Sequence, residues 1–193
     1  GSAVCGAGIQ DPRDRGDAPA PRAGVRQVIP ALANLLSAGS GGAASPSESV
    51  SPLVSGGRAD PLLAHLLTEI ASASDVALAV AFVLSAGVNC VFPYLEDLLE
   101  RGGRLRLLTG DYRDVTEPDA LMVLLDLKGD VRLRVFESRR ASPDTPAGQA
   151  FHPKAYLVER RDGSGTAFVG SSNLSESALR HGVEWNYRIV SSR

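Results

Sequence analysis

From residue 60 onward the apolar positions of the chain fall into two distinct periods. In DPLLAHLLTEIASAS the residues Leu62, Leu63, Leu66, Leu67 and Ile70 share one side of a 3.6-residue repeat, behind an acidic start with proline in the first turn. That spacing predicts an amphipathic helix. VALAVAFV is apolar without interruption, as a strand buried on both faces must be. VFPYLEDLLERGG predicts a helix closed by Gly102, RLRLLTG a strand, PDALMVLLDLKGD a helix ended by Gly129, and VRLRVFES another strand. Three alternations of strand and helix predict an α/β fold: a mixed β-sheet flanked by helices on both faces. After a surface loop at SRRASPDTPAGQ the pattern becomes strand-rich. KAYLVER, the turn RRDGSG, TAFVG, a helix start in SSNLSESALRHG and a closing strand VEWNYRIV follow in order.

Residues 1–59 have a different texture, rich in Gly, Ala, Ser and Pro and poor in aromatics. Such a segment buries too little apolar surface to offset its ordering entropy, so it is expected to be a mostly disordered leader. An island at VRQVIPALANLL, residues 25–36, has helical spacing and predicts one short docked helix, capped or kinked by Pro30. Gly1-Ser2 stands where a methionine would begin a natural chain and reads as a protease scar, so the natural protein is expected to be longer. The globular domain is placed at residues 60–193.

The uncharged run from Val76 to Leu95 is long enough to span a bilayer. Ser85, Gly87, Asn89 and Pro93 interrupt it, however, and Asp75, Glu96 and Asp97 flank it where anchoring would call for Lys or Arg. It therefore reads as a buried strand, a turn and a helix, with no membrane partner. Against 22 Asp and Glu the chain sets 20 Lys and Arg, so any polyanion site must be local. Two cysteines cannot build a disulfide scaffold or a four-ligand zinc site, and three histidines make a metal cage improbable. These counts favour a metal-free, cofactor-free domain in the reducing cytoplasm.

Isolated candidates carry little chemistry. His65 lies in an apolar helix with no partner motif and reads as a core or boundary histidine. His181 precedes Gly182 at a helix end, where the dipole favours it. Arg104 with Arg106, and Arg132 with Arg134, alternate along strands and so share a face in pairs. Acidic residues nearly balance them, which favours a solvated face over a polyanion track. Cys90 reads as a small buried apolar residue.

The carboxy-terminal third is different in kind. His152 and Lys154 stand two apart at a strand start, on one side and about 6–7 Å apart. The turn RRDGSG brings the next strand back, delivering Gly170, Ser171, Ser172 and Asn173 toward the same sheet edge. Ser171 and Asn173 then offer side-chain donors beside the free N–H groups of a helix start, a setting suited to phosphate. Glu184 arrives on the last strand, where a carboxylate can orient an imidazole. A nucleophile, a fixed cation, neutral donors and an orienting carboxylate suit a phosphodiester.

FHPKAYLVE, GSSN and the glutamate eleven residues after the asparagine together resemble the phospholipase D superfamily, whose signature is H-x-K-x4-D followed by G-S/G-x-N. AVAFVLSAGV, LRLLTGDY, PDALMVLLDL, GSSNLSESAL and EWNYR are similar to the phospholipase D-like domains at the amino end of some bacterial DEAD/DEAH-type helicases. The resemblance covers about residues 60–191. It departs at Glu159, where the family has an aspartate of structural rather than phosphate-binding role, and in a longer hairpin at RRDGSG.

What the resemblance implies is a metal-independent phosphodiesterase, a nuclease acting on DNA ahead of RNA. In it His152 attacks phosphorus to form a phosphohistidine, Lys154, Ser171 and Asn173 hold the non-bridging oxygens, and Glu184 fixes the imidazole tautomer. The mechanism asks for two imidazoles and the chain has one His-x-Lys, so a homodimer with its site at the two-fold axis is expected. The competing readings are a non-catalytic nucleic-acid-binding module of a helicase or restriction system and, behind it, a lipid phosphodiesterase. Lipid enzymes of the family carry two motifs and a membrane-facing surface, and neither is visible here.

Overall fold

The uncharged run after Asp75 becomes the strand on which the fold turns. In the computed structural model, which describes residues 51–138 and 149–192, it is β2 (Asp75–Val80), flanked by β3 (Arg104–Gly110) on one side and β5 (Lys154–Glu159) on the other. The remaining strands are β1 (Leu53–Val54), β4 (Asp130–Phe136), β6 (Gly165–Gly170) and β7 (Asn186–Ser191). They form one mixed seven-stranded sheet in the order β1-β7-β6-β5-β2-β3-β4. β2, β3 and β4 run parallel, joined by helices, whereas β5, β6, β7 and β1 are antiparallel. The α/β class and mixed sheet expected from the pattern are what the chain adopts.

Four helices are described: α1 (Leu62–Ala71), α2 (Ser85–Glu100), α3 (Pro118–Leu125) and α4 (Glu176–Arg180). α2 begins at Ser85 rather than at Val91 and carries Pro93 within it. It closes at Arg101 before Gly102, whose φ of 75° is left-handed, as the sequence anticipated for that glycine. No helix among the described residues is long and apolar enough to cross a membrane.

All four helices supply the same core. Val76, Leu78 and Val80 of β2, Leu105 and Leu107 of β3, Tyr156 and Val158 of β5 and Phe168 of β6 meet Leu62, Leu66 and Ile70 of α1, Val91, Leu95 and Leu98 of α2, Leu124 of α3 and Leu179 of α4. Each such side chain contributes about 1.5–3 kcal/mol by leaving water. The opposite face of the sheet carries Ala77, Ala79, Ala155 and Ala167 with Leu108 and Leu157. Helices were expected on both faces; among the described residues they lie on one. The alternation Val-Ala-Leu-Ala-Val along β2 already separates a bulky side from a small one.

Two further differences bear on organisation. Leu53 and Val54, assigned above to the leader, pair with Tyr187 and Asn186 and extend the sheet by a strand, with Val54 only 1% exposed. The island at residues 25–36 and most of the loop after β4 lie outside the described residues. The longer hairpin at RRDGSG closes through Arg160 N–H to Ser164 O, 2.8 Å, and leaves β5 and β6 paired from Ala155 with Val169 to Glu159 with Gly165.

Candidate active site

The topology collects one set of strand ends. β2, β3 and β6 finish, and β5 and β7 begin, at the same edge of the sheet, where Val80 faces Lys154 and Gly170 faces Asn186. β5 begins at Lys154, so His152 stands just before the strand and is exposed, whereas Lys154 is 8% exposed. The Lys154 ammonium reaches His152 Nδ1 at 2.9 Å and Nε2 at 3.3 Å, and donates to the His152 carbonyl at 3.1 Å. Burial pulls the Lys154 pKa below its ordinary value, and the charge of Glu184 opposes that shift.

Four interactions pin the Gly-Ser-Ser-Asn segment. Ser171 N–H donates to Trp185 O at 3.0 Å. The buried Tyr156 hydroxyl donates to Ser172 O at 3.1 Å, and Asn186 Nδ2 donates to Ser172 Oγ at 2.9 Å. Asn173 Oδ1 accepts from Phe82 N–H at 3.2 Å. With its oxygen engaged, Asn173 has its NH2 group as its remaining donor. Gly170 is required by closeness rather than by φ: a Cβ there would lie 2.0 Å from Trp185 O. Burial, and then the charge of Glu184, push the Tyr156 phenol far above its ordinary pKa, so it stays a neutral donor.

Glu184 lies just ahead of β7 rather than on it. Its carboxylate accepts a hydrogen bond from Ser171 Oγ, and Ser171 Oγ in turn accepts from Trp185 N–H at 3.1 Å. The hydrogen bond that Glu184 accepts thus comes from Ser171. Its influence on Lys154 is through charge.

The helix start expected at the Gly-Ser-Ser-Asn segment is not there. α4 begins at Glu176, with Ser175 as N-cap accepting from Ala178 N–H at 3.3 Å, and has five residues. The segment instead runs on as chain that bridges Val83 with Leu174, so the N-terminus of α4 does not stand at Ser171–Asn173. The polar side chains gathered at this edge are Lys154, Ser171 and Asn173. Glu159 is exposed at the far end of β5, about 17 Å of strand from Lys154, consistent with a structural position. Among the described residues no group of three or more His, Cys, Asp or Glu side chains is arranged to hold a metal ion.

Tyr156 and Asn186 were not singled out from sequence, and Ser172 entered only as part of the Gly-Ser-Ser-Asn run. Asn186, 1% exposed at the start of an otherwise mixed strand, was the available signal.

The sequence profile of the family described as "Cardiolipin synthase, PLD-like domain" matches residues 66–193. The chain belongs to the phospholipase D superfamily. NucT from Helicobacter pylori is similar in structure, with 15% identity and a TM-score of 0.51 over 66% of this chain and 76% of that one. That likeness carries the phospholipase D-like fold. Smaller likenesses are found to the yeast tyrosyl-DNA phosphodiesterase (12% identity, TM-score 0.41, 61% of this chain and 26% of that) and to polyphosphate kinase from Porphyromonas gingivalis (12%, 0.45, 86% and 23%). No curated protein matches the chain by sequence.

Proposed function

We propose that this chain is a phosphodiesterase needing no metal, a nuclease that cuts DNA ahead of RNA through a phosphohistidine on His152. The observation that carries the reading is the pairing of a nearly buried lysine ammonium with an exposed imidazole at the sheet edge where Ser171, Asn173 and Glu184 also arrive. A dianionic transition state gains most from a cation and neutral donors fixed in advance. In this reading the Lys154 ammonium and the Asn173 amide meet the non-bridging oxygens, and Ser171 assists by giving its hydroxyl proton to Glu184 and holding that carboxylate.

In the proposed reaction a neutral ring nitrogen of His152 bonds to phosphorus as the phosphorus–oxygen bond to the leaving strand breaks. The leaving oxygen takes a proton from the imidazolium of a second copy of the chain. Water then gives a proton back to that imidazole as its oxygen bonds to phosphorus and the phosphorus–nitrogen bond breaks. A homodimer supplies the second imidazole. Exposed apolar side chains beside the site support such an interface: Val183, Trp185 and Tyr187 are 85, 67 and 56% exposed, and Leu53 pairs with Tyr187. Service to a helicase or restriction system in the cytoplasm completes the reading.

The test uses single-stranded DNA, plasmid and bis(p-nitrophenyl) phosphate, with EDTA present. Cleavage by wild type and none by a folded His152→Ala is expected, with a bell-shaped pH–rate profile from the coupled imidazoles. Cleavage only with added divalent metal would overturn it. A gel shift without cleavage, retained in His152→Ala, would replace it with the binding-module reading.

A further inference from the structure

The loop carrying Glu184 is held from outside the motif region. β1 and β7 are in antiparallel register, Leu53 with Tyr187 and Val54 with Asn186, and Arg188 N–H donates to Pro52 O at 2.6 Å. Carrying that register on brings the turn after β1 against residues 182–185. The contact there is of backbone on backbone. A Cβ at Gly56 would stand 2.4 Å from Glu184 O, 2.6 Å from Glu184 N and 2.9 Å from Gly182 O. Gly57 N–H donates to Gly182 O at 2.7 Å. Both glycines have left-handed φ, 70° and 71°.

The turn is itself tied to the body of the domain. Asp60 Oδ2 accepts from Ser55 N–H at 2.8 Å and from Ser55 Oγ at 3.2 Å, while Asp60 Oδ1 lies 2.6 Å from His65 Nε2. Gly56 and Asp60 also bridge as an isolated antiparallel pair. His65 sits on α1, its ring 6.5 Å from that of Phe168 in the core. A continuous path therefore runs from α1 through His65 and Asp60 to the glycine turn, then to residues 182–184, then to Ser171. His65, Asp60 and the glycine turn precede the family match, which starts at residue 66.

We propose that the Gly56-Gly57 turn, clamped by Asp60 and His65, positions Glu184 against Ser171 and beside Lys154. Gly56 is a positioning residue, acting on substrate only through Glu184. The proposal rests on the phosphodiesterase reading for its kinetic consequence, though not for its structural one.

Paired substitutions separate closeness from strain. Gly56→Ala adds a methyl group into the Glu184 backbone at an unfavourable φ. Gly57→Ala carries the same φ penalty but meets nothing within 4 Å. On bis(p-nitrophenyl) phosphate, Gly56→Ala is expected to lower kcat on the order of 10–100-fold, as a displacement near 1 Å does, while Gly57→Ala stays within about twofold. The second readout needs no turnover. The chain has two lysines, Lys128 and Lys154, so the titration of Lys154 is resolvable by 1H–13C NMR of the lysine Cε groups. Because Glu184 holds the Lys154 pKa up, Gly56→Ala should lower it toward its value in Glu184→Gln, and Gly57→Ala should not.

Should Gly56→Ala fail to fold, Asp60→Asn loosens the same clamp and is expected to shift Lys154 in the same direction by less. Equal kinetic losses in both glycine variants would overturn the proposal. So would an unmoved Lys154 titration in Gly56→Ala, or in Asp60→Asn where only that variant folds, if Glu184→Gln does move it. A wild type inactive on every substrate would defeat the phosphodiesterase reading instead, leaving the lysine titration to decide this one.

Discussion

The sheet carries basic side chains at both ends, and they are treated in opposite ways. At the end where β2, β3 and β4 begin, charge is neutralised internally. Arg106 Nη2 lies 2.7 Å from Asp75 Oδ1, Arg104 reaches Asp75 at 3.4 Å and Asp130 at 3.3 Å, and Arg132 reaches Asp130 at 3.0 Å. At the other end Lys154 is nearly buried, its close contact is the His152 imidazole, and no described carboxylate makes an ion pair with it. The three arginines are thus held in ion pairs, whereas the lysine feels a carboxylate, that of Glu184, only through its charge. Counting positive charges along a sequence misses this, because what a phosphate feels is charge not already compensated.

The largest expected effect tests that contrast directly. Lys154→Met removes the cation and keeps its length, and should lower kcat/KM on bis(p-nitrophenyl) phosphate by about 10²–10³-fold, the usual loss of one fixed transition-state donor. Arg106→Leu should leave the specific activity of the folded protein unchanged. The contrast breaks if Arg106→Leu loses activity to the same degree.

A second expectation concerns pH, where activity and stability should move in opposite directions. The folded-state pKa of Lys154 is depressed, chiefly by burial, so the folded protein binds fewer protons than the unfolded chain between that value and the ordinary lysine value. Stability contributed by this group is then full above the unfolded pKa and is lost as pH falls through the folded one. Activity, which needs the ammonium, falls as pH rises through the folded pKa. Denaturant midpoints and kcat/KM measured along one alkaline series should therefore cross. In Lys154→Met the rise in stability over that window should vanish.

The same contrast explains what was legible in the sequence. Hydrophobic period announced β2, β3, α1 and α3, since each depends on which residues leave water and little else. That His152, Lys154, Ser171, Asn173 and Glu184 come to one edge of one sheet was legible because strand register dictates their spacing. The helix start at Ser171 was misplaced because Ser172, Asn173 and Ser175 are all competent caps. Only tertiary contacts, Tyr156 and Asn186 on Ser172 and Phe82 on Asn173, commit the first two elsewhere. The partner of His65 was missed because Asp60 lies across a helix start, where helical spacing does not predict a contact. The role of Gly56 has no local signal at all. Its requirement is set by the Glu184 backbone, more than a hundred residues on.

The arginine end sharpens the contrast through stability. Arg106 and Asp75 have side chains only 15% and 14% exposed, so removing one partner leaves a mostly buried charge. Breaking such pairs costs about 3–5 kcal/mol, but Arg104 stays near Asp75, so Arg106→Leu is expected to lose about 2 kcal/mol by urea unfolding. Arg132→Gln should do far less. Its side chain is 50% exposed, Asp130 is 43% exposed and keeps Arg104, and water screens the pair, so a loss below about 0.5 kcal/mol is expected. Arg106 and Arg132 stand directly opposite each other across β3 and β4, and Arg104 also links them by bridging Asp75 and Asp130. A double-mutant cycle of Arg106→Leu with Arg132→Gln measures that bridge together with the direct repulsion of the two facing arginines, which removal of either charge relieves. If Arg104 moves fully onto Asp75 when Arg106 is gone, Asp130 comes to depend on Arg132. The double variant then loses more than the sum of the singles. Strict additivity would mean instead that Arg104 already divides itself between two independent pairs, and that the network is no stronger than its separate contacts.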